Sequence, residues 1–431
     1  IEVMKVQSRH GVDISKDQIA RYEQQVEKVD LQAIDERERI LKHDVKARIE
    51  EFNHLAGLEL VHLGLTSRDL TENVELVQIR DALKVVQSQA IGVLKTLAKK
   101  IDLYRNLVVV GRSHNIPAQL TTLGKRFATI ADELLFALER LDSLIERLPL
   151  RGLRGPVGTT QDLHDLVGEE AVKVESEIAE SLDFKRVLDS TGQIYPRSID
   201  FEVLSTLVQL SAAPANLAIL VRLMSGAGLL SEGFKVGQVG SSAMPHKVNA
   251  RSSERINGLA VVLKGYLSMA SEMSGDQWNE GDVSCSVVRR VALPDAFFAI
   301  DGILQTSSTV ISELEIFHET IAREVEEQLP FTSTTRLLME AVKRGMGREN
   351  AHRLIQKHSL SALERTRRGE RHSFFADLGA DSDFPLSADE SFSMAIDYRD
   401  LLGDSANQID RVLLRIEGLP KVSPTIFEEI R

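Results

Sequence analysis

Hydrophobic residues recur in steps of three and four along most of this chain, and they do so over long stretches. Leu76, Ile79, Leu83, Val86, Ala90, Val93 and Leu97 form one seam, and Leu123, Phe127, Ile130, Leu134, Ala137, Leu141, Leu144 and Leu148 a second. A third runs through Leu210, Ala213, Leu217, Leu220, Met224 and Ala227, and a fourth through Ile256, Leu259, Leu263, Tyr266, Ala270 and Met273. A fifth, less regular helix is expected from Ala292 to about Glu327. Seams of this length are buried only against one another, so the prediction is an all-α fold, a bundle of long near-parallel helices. The window Phe201 to Leu230 is apolar around most of its circumference. It is expected to be enclosed on all sides, as in the core of an oligomeric bundle, with a kink at Pro214.

Between the seams the pattern breaks at a few polar stretches. Residues 1–61 are charged and helical in pattern, and Val61-His62-Leu63-Gly64-Leu65-Thr66-Ser67-Arg68-Asp69 ends them, with Thr66 or Ser67 as a candidate N-cap for the first long helix. The stretches Val110 to Gln119, Leu150 to Asp165 and Ser274 to Val291 read as irregular. From Pro330 the helices shorten, and Arg367, Arg368 and Arg371 read as a solvated face. Three helical domains are expected: 1–66, a central bundle over 67–327 that carries a polar loop at 235–250, and a small one over 328–431.

Composition narrows the function. With 431 residues, 43% of them hydrophobic, the chain can bury a large core. Its 52 basic residues face 64 acidic ones, a net charge of −12, which argues against nucleic-acid binding. Glu202, Gln209, Asn216 and Arg222 interrupt the most apolar window, so a core helix is expected there and no membrane span. One cysteine, Cys285, excludes a disulfide within the chain and fits a reducing, cytoplasmic location; it reads as a packed small residue. No HExxH or CxxC motif is present, and His43, His62, His114 and His246 lack the spacing of a preformed metal site, so no metal is expected. The glycines at 152, 155 and 158 fit neither a P-loop nor a dinucleotide fingerprint.

Chemistry-bearing residues concentrate in Gly240-Ser241-Ser242-Ala243-Met244-Pro245-His246-Lys247-Val248-Asn249. Hydroxyls at Ser241 and Ser242 beside the Lys247 cation suit proton removal next to a carboxylate, with the developing dianion held by cations and N–H groups. His62 and His114, each in an irregular stretch at a helix start, are acid or base candidates. Thr66 and Ser67 lie where a helix N-terminus would receive a carboxylate.

The Gly240–Asn249 loop resembles the signature loop of the fumarase/aspartase superfamily. Its Pro-His-Lys form, together with Lys42-His43-Asp44, His62-Leu63-Gly64-Leu65-Thr66-Ser67 and Gly111-Arg112-Ser113-His114, is similar to the adenylosuccinate lyase family. The resemblance runs over separate motifs from about residue 40 to 300. It implies three helical domains of the fumarase/aspartase type and a homotetramer whose sites are shared between subunits around a common bundle. It also implies release of fumarate from adenylosuccinate and from the succinocarboxamide ribotide (SAICAR), without a cofactor. Carried over by position, it implies Ser241 as general base, His114 as general acid, and His62 with Thr66 and Ser67 at the succinyl end. Lys42, His43 and Asp44 would contact nucleotide and substrate. Gln193, Ser242, Lys247, Asn249 and Glu254 match further site positions, and Ser286 and Arg290 match the phosphate-binding pair. Two departures stand out. Pro117 occupies the place where the family often has a second His, and the short Arg-Tyr segment that opens the family's pattern has no counterpart before the first helix. Argininosuccinate lyase or another fumarate-releasing lyase of the superfamily, and a catalytically silent helical scaffold, are the alternatives to this function.

Overall fold

A computed structural model describes residues 1–233, 243–244 and 246–421. Five long helices dominate it: Ser67–Leu103, Leu123–Arg147, Ser198–Gly226, Arg251–Met273 and Cys285–Glu313. The first has 37 residues, about 55 Å at the usual rise. Every residue of the first predicted seam is buried, and so is the second apart from the half-buried Ile130. The fold is all-α with long helices, as the seams require.

Two elements depart from the sequence expectation. The stretch read as irregular before the second long helix is an antiparallel hairpin, Val108–Ser113 paired with Ile116–Thr122. The β-branched run Val108-Val109-Val110 favours it. A bulge at Gly111/Arg112, opposite Pro117, breaks the two-residue alternation that would have announced it. The fifth helix also differs. It starts at Cys285, seven residues early, because Arg289 and Arg290 interrupt the apolar spacing on its first turns. It ends at Glu313, where Glu315–Ile316 pairs with Leu230–Ser231 and the Phe317 N–H donates to the Leu229 carbonyl at 3.0 Å. The apolar spacing carries on through Leu314, Ile321 and Val325, all buried, so periodicity alone passes over the break. A separate helix, His318–Thr332, follows.

Contact density divides the chain into two units, each with its own core. The first comprises residues 1–88, 137–211 and 259–301; the second comprises 89–136, 212–258 and 302–431. In the first, the N-terminal helices pack around Met4, Ile14, Ile19 and Tyr22, and the buried Tyr22 hydroxyl donates to Asn53 Oδ1 at 2.6 Å. In the second, the short C-terminal helices close over Leu337, Ala341, Ile355, Phe374 and Leu378.

The Ser198–Gly226 helix is long and apolar enough to cross a membrane by length and composition. Its polar positions are nevertheless paired. Arg140 donates to Ser205 at 2.6 Å and to Gln209 at 2.9 Å, Asn216 donates to Glu133 at 2.8 Å, and Arg222 donates to Asn257 at 3.0 Å. Such side-chain pairing is what a packed core helix shows. Within one chain, however, the helix is not enclosed on all sides: Phe201, Ile219 and Leu223 are exposed. Pro214 is accommodated inside a continuous helix.

Candidate functional site

In the first unit a cavity of about 820 Å³ is lined by four sequence-distant segments. Lys42, His43 and Asp44 come from the junction between two N-terminal helices, and Ser67 and Arg68 from the start of the first long helix. Gln193 comes from the loop before Ser198–Gly226, and Ser286 and Arg290 from the start of the fifth long helix. Seven residues singled out from the sequence therefore face one space.

Local backbone chemistry explains how each is held. Lys42 ends the Leu31–Leu41 helix in the left-handed region, at φ 54°. His43 then caps the next helix, its Nδ1 accepting from the Lys46 N–H at 3.3 Å. Among the described residues seven non-glycine residues have positive φ, and three of them are predicted site residues: Lys42, His62 and His114. Side chains seldom tolerate that region, and such strain concentrates at functional positions.

His62 and Thr66 lie just before the first long helix. Burial lowers the His62 pKa, outweighing its contact with the Thr66 backbone and the field of Asp69, so the imidazole is neutral at pH 7. Its Nε2 and the Thr66 hydroxyl are buried without a hydrogen-bond partner among the described residues; neither residue lines the 820 Å³ cavity, and His62 lines a separate one beside Met4, Phe52 and Leu65. The positions of His62 and Thr66 are fixed by Asp69. Its carboxylate accepts from the Thr66 N–H at 2.7 Å, the Arg154 N–H at 2.8 Å and the Gly155 N–H at 3.0 Å, and pairs with Arg151. Asp69 is 3% exposed and Arg151 fully buried. The Gly-rich stretch thus anchors the His62–Ser67 turn.

Behind the cavity lies a buried ionic network that the sequence reading missed. Glu72 takes both of its Arg197 bonds at 2.8 Å and also accepts from the Tyr195 N–H at 3.1 Å. Asp200 accepts from Arg289 Nε at 2.7 Å and from the Tyr195 hydroxyl at 2.7 Å, and Arg289 also reaches Glu75 and Tyr195. Burial and then the Asp200 carboxylate push the Tyr195 phenol well up, so it remains a donor. The signal was present as Arg68, Glu72 and Glu75 at i, i+4 and i+7, a charged stripe on a seam helix. Its partners lie more than a hundred residues away, beyond the reach of local pattern. Arg68 itself contacts both Glu72 Oε1 and the Ser286 hydroxyl at 3.2 Å.

The second unit holds the other candidates. His114 and Asn115 form a two-residue hairpin turn, both at positive φ, as a type I′ turn requires. His114 is thereby presented at the hairpin tip, exposed. Arg126 donates to the Val110 carbonyl at 2.9 Å, Gln119 donates to Thr335 at 2.8 Å, and Arg112 pairs with Glu324, which together fix the hairpin. Pro117, with no N–H to donate, sits at the bulge. Lys247 is exposed and Asn249 half-buried in the segment leading into the Arg251–Met273 helix. That helix is capped by buried Glu232, which accepts from the Ser252 N–H at 2.8 Å and from the Ser253 N–H and hydroxyl at 3.0 Å. Glu254 is exposed on its first turn. Ser241 and Ser242 lie outside the described residues. Among the described residues no group of three or more His, Cys, Asp or Glu side chains is placed to hold a metal ion. Cys285 is half-buried, its thiol directed at the Asp282 carbonyl at 3.5 Å.

Comparison with known proteins follows the same lines. A family model described as Lyase matches residues 5–265, and one described as Adenylosuccinate lyase C-terminus matches residues 330–412. The chain is 34% identical to the adenylosuccinate lyase of Saccharomyces cerevisiae, over 84% of this chain and 74% of that protein. It is 35% identical to the adenylosuccinate lyase of Methanothermobacter thermautotrophicus, over 78% and 74%. Among solved structures it resembles the 3-carboxy-cis,cis-muconate lactonizing enzyme of Pseudomonas putida, with a TM-score of 0.82 over 96% of this chain and 92% of that one. At 22% sequence identity, that likeness speaks for the fold alone.

Proposed function

This chain belongs to the adenylosuccinate lyase family, and from that premise we propose that it cleaves adenylosuccinate to AMP and fumarate, and SAICAR to the corresponding carboxamide ribotide, as a homotetramer with shared sites. The observation that carries the reading is the 820 Å³ cavity, where Lys42, His43, Asp44, Ser67, Gln193, Ser286 and Arg290 from distant segments meet. Its size suits a nucleotide. The match of residues 330–412 to the adenylosuccinate lyase C-terminus favours this substrate over argininosuccinate.

The reaction is a β-elimination. Ser241, as alkoxide, takes the proton from the carbon next to the succinyl carboxylate. Lys247, Asn249 and backbone N–H groups hold the resulting dianion. The C–N bond then breaks, its electrons passing to the purine nitrogen, which His114 protonates. Burial disfavours the charged form of His62, so as a substrate contact it would act through a neutral ring, its Nε2 having no partner among the described residues.

Support for assembly comes from apolar side chains left in solvent on the long helices. Phe136 is 64% exposed, Leu223 54%, Val261 68% and Phe298 73%. Exposed aromatic and aliphatic side chains on bundle helices fit coverage by other copies. The candidate residues also divide between two units, with Lys42, Ser67, Ser286 and Arg290 in one and His114, Lys247 and Asn249 in the other.

Purified protein given adenylosuccinate should release AMP and fumarate in equal amounts, read from the purine absorbance, and leave argininosuccinate intact. Turnover of argininosuccinate alone would replace this substrate assignment, and turnover of neither would return the chain to a silent scaffold.

A further inference from the structure

We propose that Arg68, assigned no role so far, binds the phosphoryl group of the nucleotide and makes the site selective for a phosphorylated substrate. The inference rests on the function proposed above and adds to it a residue that sets specificity.

The geometry is local. Arg68 is the second residue of the 37-residue Ser67–Leu103 helix, and Ser286 the second residue of the Cys285–Glu313 helix. The hydrogen bond from Arg68 Nη2 to Ser286 Oγ, at 3.2 Å, therefore joins the N-termini of two long helices. Both ends carry the positive end of a helix dipole. Arg68 lines the cavity together with Lys42 and Arg290. Its side chain is 18% exposed, enough to meet a ligand yet too enclosed to move freely.

Charge accounting points to an anion. Of the three carboxylates lining the cavity, Glu38 pairs with Arg48 at 3.6 Å, Glu75 is engaged by Arg289, and Asp44 lies 4.0 Å from Arg290. The contact of Arg68 with Glu72 holds one edge of the guanidinium, and Glu72 also accepts from Arg197 and from the Tyr195 N–H. Arg68 thus keeps N–H groups in its fixed fork free of that partner. Since the Ser286 oxygen accepts from Arg68, its own proton is free to donate. A phosphate monoester, with three acceptor oxygens and up to two negative charges, matches an arginine fork, a hydroxyl and two positive helix ends better than a single carboxylate does.

The test compares AMP with adenosine by calorimetry on the wild-type protein and on Arg68→Gln and Arg68→Lys. Losing a charge-assisted hydrogen bond should weaken AMP binding about ten- to one-hundredfold in Arg68→Gln. Arg68→Lys should recover part of it, with adenosine binding unchanged throughout. Glu72 keeps its Arg197 partner, so Arg68→Gln should fold, which an unchanged thermal midpoint checks. Equal losses for AMP and adenosine would overturn the proposal, as would unchanged AMP binding. A loss of fumarate binding with AMP unaffected would also overturn it, placing Arg68 at the succinyl end. Because these are binding measurements, a wild-type protein that fails to cleave adenylosuccinate but binds AMP through Arg68 would refute the proposed reaction and leave this inference standing.

Discussion

Asp69→Asn removes one negative charge from the junction that fixes His62, Thr66 and Ser67. In the wild type this carboxylate serves four donors: the N–H groups of Thr66, Arg154 and Gly155, and the Arg151 guanidinium. Asparagine has a single acceptor oxygen. If that oxygen stays with Arg151, Arg154 and Gly155, the new amide N–H₂ faces the Thr66 N–H, donor against donor. If it turns round, three donors are orphaned. Either way the buried Arg151 loses its counter-ion. Burial already lowers the Arg151 pKa, and Asp69 is the first opposing influence. Breaking a buried ion pair from one side costs about 3–5 kcal/mol. Unfolding entropy of about 2.1 cal/mol/K per residue over 431 residues comes to roughly 0.9 kcal/mol/K, so the thermal midpoint should fall by roughly 3–6 °C. Differential scanning calorimetry reads the shift. A midpoint within about 1 °C of wild type for Asp69→Asn would refute the reasoning.

The remaining predictions concern the site. The His62 ring, followed by NMR, should titrate below its usual 6.5, since burial disfavours the charged form. A group with a depressed folded-state pKa takes up its proton earlier in the unfolded chain, so its contribution to stability is complete above pH 6.5 and is lost as pH falls through the folded value; a midpoint at or above 6.5 would contradict this. Gly192→Ala should cost about 1–3 kcal/mol in denaturant unfolding and raise KM, because an added Cβ would collide with the Glu280 carbonyl that receives the Gln193 N–H at 2.6 Å; wild-type values would show that the two strands of backbone part freely. Ser241→Ala should abolish turnover while AMP still binds in calorimetry, and loss of binding would make the residue a structural part of its loop instead.

The bundle was legible in the sequence because each seam is a local repeat with a single burial solution. Leu76 to Leu97 carries its own instructions. The hairpin was not, since Gly111 and Pro117 interrupt the alternation at the bulge, and its anchors, Glu324 and Thr335, lie more than two hundred residues on. The end of the fifth helix was hidden because β pairing with Leu230–Ser231 competes there with an unbroken apolar spacing. Motif residues such as Lys42, Ser67, Gln193, Ser286 and Arg290 were found one by one, and the fold brings them to one cavity. Of the charged residues that hold them, Glu72, Asp200 and Arg289 lie on helices where a lone charge reads as surface, and Arg197 just before one. Only the tertiary structure shows that these charges neutralise one another out of water.

The most direct test of a fumarate-releasing site built from several copies is complementation. His114→Ala and Ser241→Ala proteins, each inactive, are mixed under conditions that exchange subunits, and adenylosuccinate cleavage is followed. Because one copy then supplies the acid and another the base, part of the wild-type activity should return. No recovery after exchange has been verified by mass would contradict a shared site.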